Sequence, residues 1–405
     1  MMGNFLNKHT KWNNITKAEL INFFSALYFY LPIATLWYQS RGLSLIQVES
    51  LNGIGTLTIV LTTVQTGIFA DKFGRKSAII MALIMQLLGE VIFLVSHSFP
   101  MFILCSILAG LGFSFWSGAF DALILDSLKA DHQEKQTQKT IGNITAYKEL
   151  STILGAVVSS FIVSQLVPSR FMLAILLTIG SVSIALLISL FIKEPPRSEN
   201  HHSLSPLQLL KKSMVLLRQN RKLVQLVALG IFTTPFTAYL ISLYQPYFKN
   251  LHVPGQWFGL AYALGGLFAL LSSKYAYVIE NKLGGKTALL FFTLLPGFFF
   301  GLMAINGHPW LAVTFFSLNY GSALLQNPLL IDYTNRHIPS ENRATLLSFI
   351  TLLSSLYIAV MGPIIGKVAD YSISAAFIVM GALIVTGALF FRIDDKHLII
   401  EKFNG

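Results

Sequence analysis

Gly67-Ile68-Phe69-Ala70-Asp71-Lys72-Phe73-Gly74-Arg75-Lys76 is a ten-residue turn carrying one acid and three bases between two long apolar runs. An apolar stretch of about 18 residues or more reads as a helix that crosses a membrane. The turn is therefore a tight, charged loop joining two spans. Four charges in so short a hairpin must bond helix ends and one another as well as water. Gly74 permits the tight turn, and Gly67 permits a close approach of helices.

The rest of the chain agrees with a membrane setting. Only 12% of the 405 residues are charged and Phe alone supplies 32, whereas a soluble protein carries about 25% charged residues. Mean hydropathy is +0.64. Twelve candidate spans follow, at about 20–38, 48–69, 78–95, 99–125, 141–166 and 171–192, then 223–247, 257–278, 287–305, 310–331, 344–368 and 373–391. Backbone polar groups in hydrocarbon must be satisfied internally, so these spans are expected as helices. The first apolar run is too long for the core of a signal peptide. Cys105, the single cysteine, lies in an apolar run, so no disulfide framework or metal motif is present and it reads as a small packed residue.

A net charge of +11 would suit a nucleic-acid partner, but the placement of the bases excludes that need. With a cytoplasmic N-terminus, 24 of the 29 Lys and Arg residues fall on the cytoplasmic side, among them Lys72, Arg75, Lys76, Lys129, Lys135 and Lys139. The opposite side keeps four: Arg41, Arg170, Lys249 and Lys367. This is the positive-inside asymmetry, with both termini cytoplasmic and anionic lipid as the partner of the basic face.

Residues 193–222 divide the spans into an N-terminal bundle, 1–192, and a C-terminal bundle, 223–405. The divider opens with Glu194-Pro195-Pro196 and His201-His202. It then places Leu207, Leu210, Met214 and Leu217 at helical spacing, with Lys211, Lys212 and Arg218 on other faces. That pattern fits a helix lying on the inner membrane surface, or one that binds a partner. Without a third ligand the His pair reads as solvated loop.

The halves repeat weakly, as in transporters built from related bundles. Asn281-Lys282-Leu283-Gly284-Gly285-Lys286 stands between spans eight and nine where the opening turn stands between two and three. Leu123-Ile124-Leu125-Asp126 is echoed by Leu329-Leu330-Ile331-Asp332. The turn G-x-x-x-D-K-F-G-R-K, the six-plus-six arrangement and the cytoplasmic termini resemble the major facilitator superfamily over essentially the whole chain. The stretches Ser117–Leu128 and Arg343–Ser348 resemble its bacterial drug-efflux-like members. Two departures stand out: Ser106 occupies the place of their usual Arg in span four, and Gly362-Pro363 lies in span eleven rather than five.

The resemblance implies an all-α membrane protein of twelve transmembrane helices in two pseudo-symmetric six-helix bundles. These rock about a central site and expose it alternately to the two membrane faces. It assigns Gly67, Asp71, Lys72, Gly74, Arg75, Lys76 and Asp126 to a conformational latch. Physical chemistry supports those roles: an acid near a helix N-terminus is favoured by the dipole, and Arg75 can grip a carboxylate such as Asp126 with two hydrogen bonds.

Ionisable groups inside a membrane are costly and each is a functional candidate. Glu90, Asp121, Lys148 and Glu149 are the deep ones; the resemblance places span three outside, so Glu90 reads first as facing packed protein, with a coupling role as the alternative. Ser114, Ser117 and Asp121 share a face of span four, whereas Asp126 lies about 140° round the helix. Thr145, Lys148 and Thr152 form a stripe on span five with Glu149 alongside. Asp121 near Lys148 would sit between desolvation and a cation, as a proton-coupling group requires; a structural ion pair of Lys148 with Glu149 or Asp121 is the alternative.

By resemblance the cavity is lined from spans one, four, seven and ten. The candidates are Asn22, Tyr28, Tyr30 and Gln39; Trp116, Ser117 and Asp121; Thr233, Thr234, Tyr239 and Gln245; and Asn319, Tyr320, Gln326 and Asn327. Aromatic surface with scattered hydrogen-bonding groups and a fixed acid suits amphiphilic or cationic small molecules. The expectation is a proton-coupled secondary transporter, monomeric, in the bacterial cytoplasmic membrane, exporting small amphiphilic molecules, with no cofactor and no metal. A carrier of a specific metabolite, a siderophore or a lysolipid is the alternative within transport. An embedded enzyme or sensor would need a catalytic constellation or a soluble effector domain, and the sequence offers neither.

Overall fold

Three prolines set the shape of the helices that matter most. A proline removes one backbone N–H and crowds the carbonyl four residues earlier. In the first pass α1 (Asn14–Ser25) stops ahead of Pro32, a short 3-10 turn (Leu31–Ile33) follows, and α2 (Ala34–Ser40) completes the crossing. In the seventh, α8 (Arg221–Thr233) and α9 (Phe236–Asn250) meet at Thr234-Pro235. In the tenth, α12 (Pro309–Ala323) and α13 (Gln326–Arg336) are separated at Leu324-Leu325, four residues before Pro328.

The remaining passes are single helices: α3 (Leu45–Phe73), α4 (Arg75–Val95), α5 (Phe99–Ala130), α6 (Thr137–Ile162), α7 (Pro168–Ser189), α10 (Gln256–Leu283), α11 (Gly285–Ile305), α14 (Arg343–Tyr371) and α15 (Ile373–Phe390). The computed structural model describes residues 13–196, 213–218, 220–338 and 343–391. Among them, eight helical segments are long and apolar enough to cross a membrane. The passes outside that group include the broken first and tenth, and α6 with its Lys148 and Glu149. The described helices are consistent with twelve passes.

Most of the expected surface helix of the linker, with His201 and His202, lies outside the described residues. Its end, 213–218, is helical, and Leu216 and Leu217 pack against a cluster of Leu223, Val227, Ile338, Leu346 and Phe349.

The described residues form two compact units. The first comprises those of Met1–Leu31 and Ile54–His202, and the second those of Pro32–Gly53 and Ser203–Gly405. Thus α2 and the first turns of α3, which belong to the N-terminal half by sequence, pack with the second unit. α3 begins in one unit and ends in the other.

Inside the first unit, the broken pass is held by polar groups from its neighbours. Ser151 Oγ donates to the Phe23 carbonyl at 2.6 Å, Ser181 Oγ to that of Phe24 at 2.7 Å, and Gln86 Nε2 to that of Ser25 at 2.9 Å. The Phe29 N–H donates to Thr178 Oγ1 at 3.0 Å. A Cβ at Gly155 would lie 2.7 Å from the Tyr28 carbonyl oxygen, so only glycine lets α6 come this close. Backbone groups freed at membrane depth have to find such partners within the protein. The core beneath joins Ala18, Ile21, Ile79, Leu83, Phe120, Leu123 and Ile144. In the second unit, α11 packs on α15 and α10 on α12, over a core containing Leu226, Leu229, Leu289, Phe292, Leu329 and Tyr333.

Candidate functional site

The charged turn is ordered by more than its own residues. Gly74 takes φ +101, a conformation that side chains resist, and α4 starts immediately after it. The first two N–H groups of that helix, from Arg75 and Lys76, donate to Glu194 Oε1 at 2.6 Å and Oε2 at 2.9 Å. Glu194 thus fills the anion position at the helix N-terminus that sequence reasoning gave to Asp71. A Cβ at residue 74 would fall 2.7 Å from the Glu194 carboxylate. Lys76 Nζ donates to the Leu190 carbonyl at 2.7 Å and so ties the same turn to the end of α7.

Arg75 pairs with Asp71 one helical turn back, Nη1 to Oδ1 at 2.8 Å, and reaches Asp126 only at 4.0 Å through Nε. The two-bond grip on Asp126 expected from sequence is therefore replaced by a close pair with exposed Asp71 and a looser one with half-buried Asp126. Lys72 extends over the Phe73 ring. The close approach expected at Gly67 is also different: nothing lies within 4 Å of a Cβ there, and the tight packing falls at Gly74 instead.

The second unit contains the weaker copy. Gly284 has φ +79 and α11 starts after it. The Gly284 N–H donates to the Glu280 carbonyl at 2.8 Å, as that of Gly74 donates to Ala70 at 2.9 Å. The charge pair of the copy lies on α13, where Arg336 Nη2 meets Asp332 Oδ2 at 2.5 Å. The Tyr333 hydroxyl donates to Glu280.

At the break between α1 and α2 the first unit gathers a polar, aromatic cluster. Tyr30 donates to Glu90 Oε1 at 3.0 Å, and Gln86 Nε2 donates to the Tyr28 hydroxyl at 2.7 Å. Tyr28 and Tyr30 meet edge to face, and Tyr30 lies 4.9 Å from Phe93. Glu90 is 6% exposed, and its Oε2 has no hydrogen-bond partner. Three predicted residues thus come together: Tyr28, Tyr30 and Glu90.

Others in this unit stand apart. Asn22 is buried and spends its amide on the Ile144 carbonyl at 3.0 Å. Trp116 stacks on Phe120 at 4.2 Å, with Ser117 half-buried one residue on. Asp121 and Lys148 are exposed and Glu149 is half-buried. No ion pair joins these three among the described residues.

In the second unit the breaks of the seventh and tenth passes face a small cavity of mixed lining. Thr233, Phe236, Thr237, Phe300, Asn319 and Gln326 line it, with Pro296, Ala323 and Ile384. Gln326 Nε2 donates to Thr233 Oγ1 at 2.9 Å. Asn319 is fully buried, and its Oδ1 has no partner. Tyr320 stacks on Tyr262, ring centres 5.0 Å apart, with the hydroxyls 3.2 Å apart. Thr234 and Asn327 are half-buried, and the Thr234 hydroxyl donates to the Gly230 carbonyl.

Two expected lining residues hold backbone instead. Tyr239 is fully buried and donates to the Ile358 carbonyl at 3.0 Å. Gln245, 1% exposed, accepts the Thr35 N–H at 2.7 Å and donates to the Ile241 carbonyl. Gln39 lines an open cleft with Lys249 and Asp370. Sequence reasoning passed over Glu194, Asp370 and the fully buried Glu49. The last stands at the start of an apolar run, where an acid reads as interfacial.

Long apolar helices joined by charged turns, with the first, seventh and tenth passes broken near prolines, are those of a multi-pass membrane protein. The chain belongs to the Major Facilitator Superfamily, whose family model matches residues 19–362. It is a transporter, not an enzyme. It is 24% identical over 392 residues to the uncharacterized MFS-type transporter YxaM of Bacillus subtilis (strain 168), covering 93% of this chain and 96% of that one. Its fold is similar to that of the nucleoside transporter NupG, with a TM-score of 0.75 at 14% identity over 94% of this chain and 98% of that one. It is likewise similar to a bacterial homologue of the human lysosomal transporter Spinster, with a TM-score of 0.73 at 16% identity over 95% and 96%. The D-xylose–proton symporter gives a TM-score of 0.70 at 15% identity over 93% and 96%.

Proposed function

We propose that the protein is a proton-coupled exporter of small amphiphilic molecules that works by alternating access, as a monomer in the bacterial cytoplasmic membrane. Its termini are cytoplasmic, its basic face meets anionic lipid, and residues 1–192 and 223–405 act as the two moving bundles. The observation that carries this reading is the cluster at the first break. Half-buried Tyr28 and Tyr30 present aromatic surface beside Glu90, a buried carboxyl with one unpartnered oxygen. Aromatic faces hold amphiphilic and cationic molecules, and an acid inside a membrane protein is a natural proton carrier. Asp121 supplies a second acid, exposed on α5, with Lys148 and Glu149 on α6 as further coupling candidates.

The test is transport in proteoliposomes with an imposed pH gradient and a fluorescent amphiphilic cation. Gradient-driven accumulation is expected for the wild type. Asp121→Asn should abolish it while leaving equilibrium exchange, which moves no net proton, largely intact. Normal accumulation by that variant would remove Asp121 from the coupling step.

A specific metabolite carrier is the second reading. The amide and hydroxyl groups of Asn319, Gln326 and Thr233 favour it, since Asn319 keeps an unpartnered buried oxygen and such groups suit a hydroxyl-rich solute. Uptake of a nucleoside or pentose by the same vesicles, with no response to the amphiphilic cation, would select it.

A further inference from the structure

Glu49, in the second turn of α3, is fully buried. Its Oε2 accepts from Asn52 Nδ2 at 3.1 Å, and its Oε1 has no hydrogen-bond partner. Asn52 Nδ2 also reaches Ser242 Oγ on α9 at 3.3 Å. Among the described residues, Tyr239 of α9 is a titratable group that faces the carboxyl, with Tyr357 of α14 beyond it. No Lys or Arg forms an ion pair with it among the described residues. α14 closes the remaining side, because a Cβ at Gly362 would lie 3.1 Å from the Glu49 carbonyl oxygen.

The enclosure is built from residues 32–53 seated on α9 and α14. Asp370, near the end of α14, accepts the first N–H groups of α3, from Leu45 at 2.6 Å and Ile46 at 3.0 Å. The Tyr244 hydroxyl donates to the Pro32 carbonyl at 3.1 Å, and Gln245 takes the Thr35 N–H. From Ile54 onward the same helix belongs to the other unit. If residues 32–53 leave α9 and α14, Glu49 loses its enclosure and opens to water.

We propose that Glu49 is a proton-binding site whose occupancy decides whether residues 32–53 stay seated on α9 and α14. An ionised carboxylate here would keep an unpaired charge away from water, which costs several kcal/mol. The neutral acid is free of that cost and can stay enclosed. Proton binding then stabilises the seated arrangement, and proton release favours lifting. By linkage, a one-proton event changes the ratio of lifted to seated states by up to about tenfold per pH unit. The site goes beyond the proposed transport reading, because it concerns proton occupancy without reference to any substrate.

Two substrate-free measurements on the full chain in nanodiscs test this. In a Cys105→Ala background, Val48→Cys places a thiol at a position that is 2% exposed in the seated state. Its labelling rate by a polar maleimide is normalised to that of Ser40→Cys, an exposed position. The normalised rate should rise with pH. Adding Glu49→Gln should hold it at the low-pH value throughout, and Glu49→Asp, which shows that an acid folds there, should restore a rise. In pH-difference infrared spectra the carboxylic-acid C=O band should lose a component in Glu49→Gln that Glu90→Gln retains. The proposal falls if Glu49→Gln follows the wild-type curve, if it labels fast at every pH, if the wild type shows no pH response, or if the band is unchanged by Glu49→Gln. Failure of pH-driven transport in vesicles would leave these outcomes untouched, so the two readings fail separately.

Discussion

At the scale of single residues, the charges around the Gly74 turn act on helix ends as well as on each other. Glu194 takes the first two N–H groups of α4, while the Arg75–Asp126 pair spans 4.0 Å. Losing a helix N-terminal acceptor costs about 0.5–2 kcal/mol, and the exposure of Glu194 places this one toward the lower end. Glu194→Ala is expected to lower the Tm in detergent by a small but measurable amount, whereas Asp126→Asn should leave it almost unchanged. Equal effects from the two would mean that Glu194 is merely a surface acid. The sequence showed the turn and its four charges clearly. It hid Glu194, because Glu194-Pro195-Pro196 looks like the polar opening of a linker and lies 119 residues from its partner. Glu49 was hidden for a different reason: an acid at the edge of an apolar run reads as interfacial, and only packing by α9 and α14 makes it deep.

At the scale of elements, the apolar runs predicted where the helices lie but not which of them break. Pro32, Pro235 and Pro328 accompany breaks, yet Pro246, Pro296 and Pro363 sit inside continuous helices. The difference is tertiary. Around the first break, hydroxyl and amide groups from α4, α6 and α7 stand ready for the freed backbone, and no local pattern announces them. Thr178 is the clearest case, fully buried and accepting the Phe29 N–H. Thr178→Val would keep the shape and leave that N–H without its acceptor, a loss of about 1–3 kcal/mol. Thermal unfolding should show a clear drop in Tm, and Ser183→Ala, a hydroxyl bonded within its own helix, should not match it. A Thr178→Val variant as stable as the wild type would mean that the break is held by packing alone.

At the scale of the whole molecule, family membership and transport were legible because they rest on repeated, redundant signals: apolar runs, a signature turn and a weak copy of it. The lining of the site was not, because a residue's position in a span says little about its rotation. Asn22, Tyr239 and Gln245 were expected to line the cavity and instead hold neighbouring backbone. Orientation is an expectation that sums many Lys and Arg residues, so no single one decides it. It predicts that Gln138, exposed at the start of α6, is cytoplasmic and that Asn250, exposed at the end of α9, is on the far side. Cys105 is buried and gives little background. Asn250→Cys should react with an impermeant maleimide on intact cells, and Gln138→Cys should react only after the membrane is opened. The helices themselves are indifferent to direction, so a reversed pattern would leave the fold standing. It would instead exchange the two faces, placing the Gly74 turn outside the cell and the Glu49 enclosure on the cytoplasmic side. Proton release from Glu49 would then answer to cytoplasmic pH, and the same segment would gate the opposite entrance.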